Sequence, residues 1–141
     1  MKILVIEDSR LLRSAIERTL GRAGYEVVAV GDGHAGLSRA QEIHPDIILL
    51  DMMLPTMDGT GVLQQLKQDS ATKSIPVIIL SGLSQKNDAK LKKAGASAYF
   101  EKSLLDLDKD GNGLVKAVQR VLAELPCAKE NFVKPAIAGV L

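Results

Sequence analysis

The residues best equipped for chemistry are acids, a hydroxyl and a lysine that close short apolar runs. Glu7 and Asp8 follow Ile3–Ile6, Asp51 follows Asp46–Leu50, Ser81 follows Pro76–Leu80, and Lys102 comes just after Ser97–Phe100. Three carboxylates drawn to one place repel strongly unless a cation or a proton relieves them. A hard divalent ion suits them. Magnesium, or manganese in its place, takes carboxylate oxygens, keeps several waters and completes its shell with a phosphate. Lys102 brings a point positive charge and Ser81 a hydroxyl donor, while Gly82 leaves room beside that hydroxyl for a tetrahedral group. Asp51 is then the candidate nucleophile, because phosphoryl transfer depends mainly on positioning and charge neutralisation. Taken singly, each residue has a plainer explanation: a helix cap for Asp8 and Ser9, a turn for Ser81, a solvated charge for Lys102. Their joint occurrence at successive strand ends makes chance placement a poor explanation.

The elements that position these residues can be read from periodicity. Four runs rich in β-branched residues have strand length: Ile3–Ile6, Glu26–Val30, Asp46–Leu50 and Pro76–Leu80, with a weaker fifth at Ser97–Phe100. Between them lie helical patterns: Leu11, Leu12, Ala15, Ile16 and Leu20 on one face, then Ala35–Ile43, Val62–Leu66 and Ala89–Ala94, with a last amphipathic stretch at Leu114–Leu125. Ser9 can cap the first helix, Gly24 follows it, and Pro45 stops the second. Regular alternation of strand and helix predicts an α/β fold: a doubly wound five-stranded parallel sheet flanked by five helices, a three-layer sandwich. In such sheets, sites form beyond the carboxyl ends of the strands, where the acids, Ser81 and Lys102 fall.

Composition narrows the function classes. The 141 residues, 46% hydrophobic and 25% charged, suit one domain over 1–125 with a tail or linker at 126–141. Eighteen basic against 17 acidic residues leave a net charge of +1, no field for direct nucleic-acid or membrane binding. Cys127 is the sole cysteine, which removes disulfide scaffolds, and His34 and His44 alone make no zinc site. A reducing, cytoplasmic setting is expected, with no apolar stretch of membrane-spanning length.

Four segments together resemble a known family: ILVIED at Ile3–Asp8, DMMLPTMDG at Asp51–Gly59, VIILSG at Val77–Gly82 and AYFEK at Ala98–Lys102. In order and spacing the chain is similar to the receiver domain of two-component response regulators, from Lys2 to about Leu125. That resemblance implies a flavodoxin-like fold and a phosphoryl group received from a sensor histidine kinase or a histidine phosphotransfer protein. It makes Asp51 the phosphoacceptor, Glu7 and Asp8 the acidic pair for magnesium, Met53 the donor of a backbone carbonyl ligand, and Lys102 a phosphoryl contact. Ser81 and Tyr99 would form the switch, the first swinging to the phosphoryl oxygen and the second turning inward. Turnover would be incidental, so the chain is not an enzyme in the ordinary sense.

Three departures from the family pattern stand out. Ser103 occupies the place where a proline with a cis bond is usual; a cis bond before serine would cost about 3 kcal/mol, so a trans bond is expected. Met53 and Leu83, two residues past Asp51 and Ser81, offer no side chain to orient water, which predicts slow loss of the phosphoryl group. The third is DKDGNG at Asp108–Gly113, which looks like a calcium loop, with Asp108, Asp110 and Asn112 at positions one, three and five. Gln119 at position twelve and Lys116 at position nine argue instead for a polar turn that starts the last helix.

Three other functions compete. A flavin-binding electron carrier on this fold needs a glycine- and hydroxyl-rich phosphate loop where Glu7, Asp8 and Ser9 stand. An aspartyl-phosphate hydrolase wants an acid where Met53 stands. An interaction module that works without phosphorylation would have no need of all five site positions.

Overall fold

Alternate residues of each apolar run face opposite sides, and both sides are covered, which is why these runs form a parallel sheet. A computed structural model of the chain describes residues 1–52, 54, 59–81, 95–101 and 112–124. The elements are β1 (Lys2–Ile6), α1 (Arg10–Arg22), β2 (Glu26–Val30), α2 (Gly33–Ile43), β3 (Ile47–Asp51), α3 (Gly59–Gln68), β4 (Val77–Ser81), β5 (Ala98–Glu101) and α4 (Asn112–Ala123). The strands form one parallel sheet in the order β2-β1-β3-β4-β5. Ile3, Val5, Ile47, Leu49, Ile78 and Leu80 pack with Ile16 and Leu20 of α1 and with Leu114, Val118 and Val121 of α4. Leu4, Ile6, Ile48, Leu50, Val77 and Ile79 pack on the other face with Ala40 of α2 and with Val62, Leu63 and Leu66 of α3. These are the three layers expected. Each fully buried Leu or Ile contributes about 1.5–3 kcal/mol, so the sheet's interior is a rigid support for its edge.

The helix ends follow from local chemistry. Ser9 caps α1, its Oγ accepting the Leu12 N–H at 3.4 Å. At the other end Gly24 takes φ +100°, and the N–H groups of Tyr25 and Gly24 return to the carbonyls of Leu20 and Gly21. Asp32 caps α2 by accepting the Ala35 N–H at 2.7 Å. His44 closes that helix in the left-handed region, φ 48°, directly before Pro45.

Some expectations are corrected. Leu11 does not share the buried face of α1; it is 72% exposed, while Ala15, Ile16 and Leu20 are buried. The third strand starts at Ile47, because Asp46 bridges the sheet's lower edge: its N–H donates to the Lys2 carbonyl at 2.8 Å, and its carboxylate accepts the Lys2 N–H at 2.7 Å. Residues 112–119, positions five to twelve of the calcium-like string, lie in α4, in keeping with the expectation that the last helix starts there. Asp108 and Asp110, the helix expected through Ala89–Ala94, and the tail lie outside the described residues.

At the far end of α3, Lys67 donates to the carbonyls of Lys73 at 3.1 Å and Ile75 at 2.8 Å, and burial lowers its pKa. Nearby, Asp69 accepts the Ala71 N–H at 2.9 Å and the Gln41 amide at 2.6 Å, which together hold its carboxyl below the ordinary value of 3.8.

Candidate functional site

From β1 the chain steps outward to β2, then returns past β1 to β3 and continues the other way to β4 and β5. The reversal leaves a crevice at the carboxyl ends of β1 and β3, where this kind of fold binds ligands. Glu7 stands immediately after β1, and Asp51 is the last residue of β3. The side-chain oxygens of Glu7, Asp8 and Asp51 lie within 4.8 Å of one another. Glu7 and Asp51 are fully buried and Asp8 is exposed, so the cluster opens to solvent on the Asp8 side.

Each acid is held by its local backbone. The Glu7 N–H donates to the Val30 carbonyl at 3.0 Å, continuing the β1–β2 pairing one residue past the strand. Glu7 Oε2 accepts the Ser9 N–H at 3.0 Å, and the Glu7 carbonyl accepts from the Arg13 guanidinium at 2.9 Å. Ser9 therefore does two jobs: its hydroxyl caps α1 and its amide orients Glu7. On the other wall, the Met52 N–H donates to the Leu80 carbonyl at 3.1 Å, and the Gly59 N–H donates to the Met52 carbonyl at 2.9 Å. A Cβ on Gly59 would lie 2.6 Å from both the Asp51 carbonyl oxygen and Met52 Cα. Backbone cannot yield as a side chain can, so only glycine lets the start of α3 fold back onto the end of β3. This brings the positive end of the α3 dipole beside Asp51.

Ser81 ends β4, the strand next to Asp51 on the side away from Glu7, and Asp51 lies in register with Leu80. Tyr99 is half-buried on the face covered by α2 and α3, whereas its neighbour Phe100 packs on the α1–α4 face. Lys102, Met53, Gly82, Leu83 and Ser103 lie outside the described residues. Arg13 and Gly59 are the supporting residues that periodicity and strand-end counting pass over. A guanidinium six positions after Glu7 and a glycine opening a helix are signals that acquire meaning only beside the fold.

Two fully buried carboxylates beside a third are costly as bare charges, and an all-oxygen set open on one side is what a magnesium-sized cation requires. The donor set fits that ion.

Residues 3–110 match the response regulator receiver domain. The chain belongs to that family. Receiver domains are the phosphoacceptors of two-component signalling and pair with histidine kinases. The DNA-binding dual master transcriptional regulator RpaA of Synechocystis sp. is 39% identical over 103 residues, which cover 72% of this chain and 42% of RpaA. The chain spans 35% and 33% of two further curated transcriptional regulators, so it corresponds to a minor part of their length. Among solved structures, the chemotaxis protein CheY4 of Vibrio cholerae is 30% identical with a TM-score of 0.76, covering 85% of this chain and 97% of that one. The receiver domain of a sensor histidine kinase from Pseudomonas aeruginosa is 27% identical with a TM-score of 0.76, covering 87% and 98%; it has a magnesium ion coordinated in its active site cleft. The receiver fold is therefore the five-stranded parallel sheet described above, and among the described residues no helix is long and apolar enough to cross a membrane.

Proposed function

We propose that Asp51 is the phosphoacceptor, that Glu7 and Asp8 hold a divalent cation beside it, and that residues 1–125 form the receiver unit with 126–141 as tail or linker. The observation that supports this most directly is the meeting of Glu7, Asp8 and Asp51 within 4.8 Å across the strand-order reversal. The donor is the phosphohistidine of a sensor histidine kinase or a histidine phosphotransfer protein. An Asp51 carboxylate oxygen attacks phosphorus, a P–O bond forms, and the P–N bond breaks with its electron pair returning to the imidazole. Magnesium, when bound, neutralises charge on the phosphoryl oxygens.

The protein's own residues supply placement. Burial at the end of a rigid central strand fixes the Asp51 carboxylate, and exposed Asp8 marks the side from which donor and cation enter. By family likeness Met53 lends its carbonyl to the cation, Lys102 and Ser81 contact the phosphoryl oxygens, and Ser81 with Tyr99 carries the switch. Apolar Met53 and Leu83 leave an attacking water unoriented, so the phosphorylated state is long-lived. The setting is the cytoplasm, where histidine kinases present their phosphohistidine.

A small-molecule phosphodonor with magnesium tests the reading. The chain gains the mass of one phosphoryl group, Asp51→Asn gains none, and a folded wild-type chain that gains none overturns the assignment.

A further inference from the structure

Arg13 stands one turn into α1, and its Nη1 donates to the Glu7 carbonyl at 2.9 Å. The same nitrogen lies over Gly31, the first residue after β2. A Cβ on Gly31 would sit 2.8 Å from Arg13 Nη1 and 3.7 Å from the central guanidinium carbon. Among the described glycines, positive φ occurs at Gly24 and Gly95 and not at Gly31. Backbone conformation therefore does not call for glycine there; a methyl group at this position would instead displace the guanidinium. The Glu7 N–H is meanwhile bound to the Val30 carbonyl at 3.0 Å. Both polar groups of the Glu7 backbone are thus tied, one to the end of β2 and the other to a guanidinium lying across the residue that follows it.

We propose that Arg13 is a positioning residue for the cation site. By holding the Glu7 carbonyl from its place over Gly31, the guanidinium keeps the Glu7–Asp8 backbone set so that both carboxylates face Asp51 before a divalent cation arrives. Three acids with oxygens within 4.8 Å tend to push this turn open, and the guanidinium opposes that movement through the backbone. The idea deepens the phosphoacceptor reading and rests on it for its biological consequence, although cation affinity can be measured without any phosphoryl transfer.

The sign of the effect separates positioning from simple charge. A guanidinium acting only as a nearby positive charge repels an incoming cation, so its removal tightens magnesium binding. A guanidinium that orients the ligands loosens binding when lost, by about ten-fold, as for other residues that support metal ligands from behind.

Magnesium titration by calorimetry on the full chain, on Arg13→Met, on Gly31→Ala and on the double variant provides the test, with circular dichroism and urea unfolding establishing that each is folded. Both single variants are expected to weaken magnesium binding about ten-fold. The double variant is expected to be no weaker than either, since both remove one arrangement. Unchanged or tighter binding by folded Arg13→Met overturns the proposal, as does lowered stability in both variants with cation affinity intact. Phosphodonor treatment of the same samples keeps the two readings apart. A wild type that binds magnesium but never gains phosphoryl mass defeats the phosphoacceptor reading alone; a wild type that gains it, with equal magnesium affinity in all four proteins, defeats the Arg13 proposal alone.

Discussion

Two strand-to-helix turns sit side by side on one edge of the sheet, each carries acid, and their acids are used differently. In the β2–α2 turn Asp32 is the helix cap, and its carboxylate accepts the Ala35 N–H at 2.7 Å. In the β1–α1 turn Ser9 is the cap, and Glu7 and Asp8 are left to join Asp51. Supplying a separate residue for the cap is what allows a carboxylate at a strand end to serve a ligand. A cap needs one oxygen near its own helix, whereas a cation site needs oxygens from two distant segments facing one point.

The comparison breaks most clearly at one acid from each turn, exposed Asp8 and partly buried Asp32. Asp8→Ala is expected to weaken magnesium binding and slow phosphorylation by about a hundred-fold while leaving metal-free stability equal or slightly raised, since a like charge is removed. Calorimetry and urea unfolding read both quantities, and a stability loss matching the functional loss would make Asp8 a structural acid. Asp32→Ala is expected to do the reverse, costing about 1 kcal/mol of stability in urea unfolding with magnesium affinity unchanged. A smaller effect is expected for Ser9→Ala, about 0.5 kcal/mol, because its cap bond is long at 3.4 Å, and its amide still holds Glu7.

Asp69 sharpens the contrast as another acid committed to neighbouring N–H donors. Its pKa is lowered chiefly by the Ala71 N–H and then by the Gln41 amide. The unfolded chain therefore takes up the proton first as pH falls, so the stabilisation is complete above the unfolded value and is lost as pH drops below 3.8 towards the folded one. Replacement by Asn should flatten the acid limb of a stability–pH curve there; a curve that keeps its slope would assign that limb to other carboxyls.

Much of this was legible in the sequence because both faces of the central strands are buried: largely apolar runs marked every strand, within one residue of its observed ends. Site acids were legible because strand ends are where a parallel sheet places chemistry. Rim positions were not, since Leu11 and Ala15 share a helical spacing but only Ala15 is buried. The His44 turn was hidden behind Pro45, as a left-handed histidine has no pattern of its own. Arg13 and Gly31 were hidden for another reason: their relation exists only when β1 and β2 are paired.

The strand-order reversal that opens the crevice also dates it within folding. Glu7 and Asp51 meet only after β3 has passed over the β1–α1–β2 unit and docked on the free edge of β1, with Ile6 opposite Leu50. Such non-local parallel pairing carries a large loop-closure cost and forms slowly. A nascent segment containing only the first acidic pair has half a site, so it should gain no appreciable hold on magnesium. If the three acids hold the proposed cation, its affinity would follow completion of the central sheet: stopped-flow refolding with a magnesium-sensitive dye is expected to report the docking of β3.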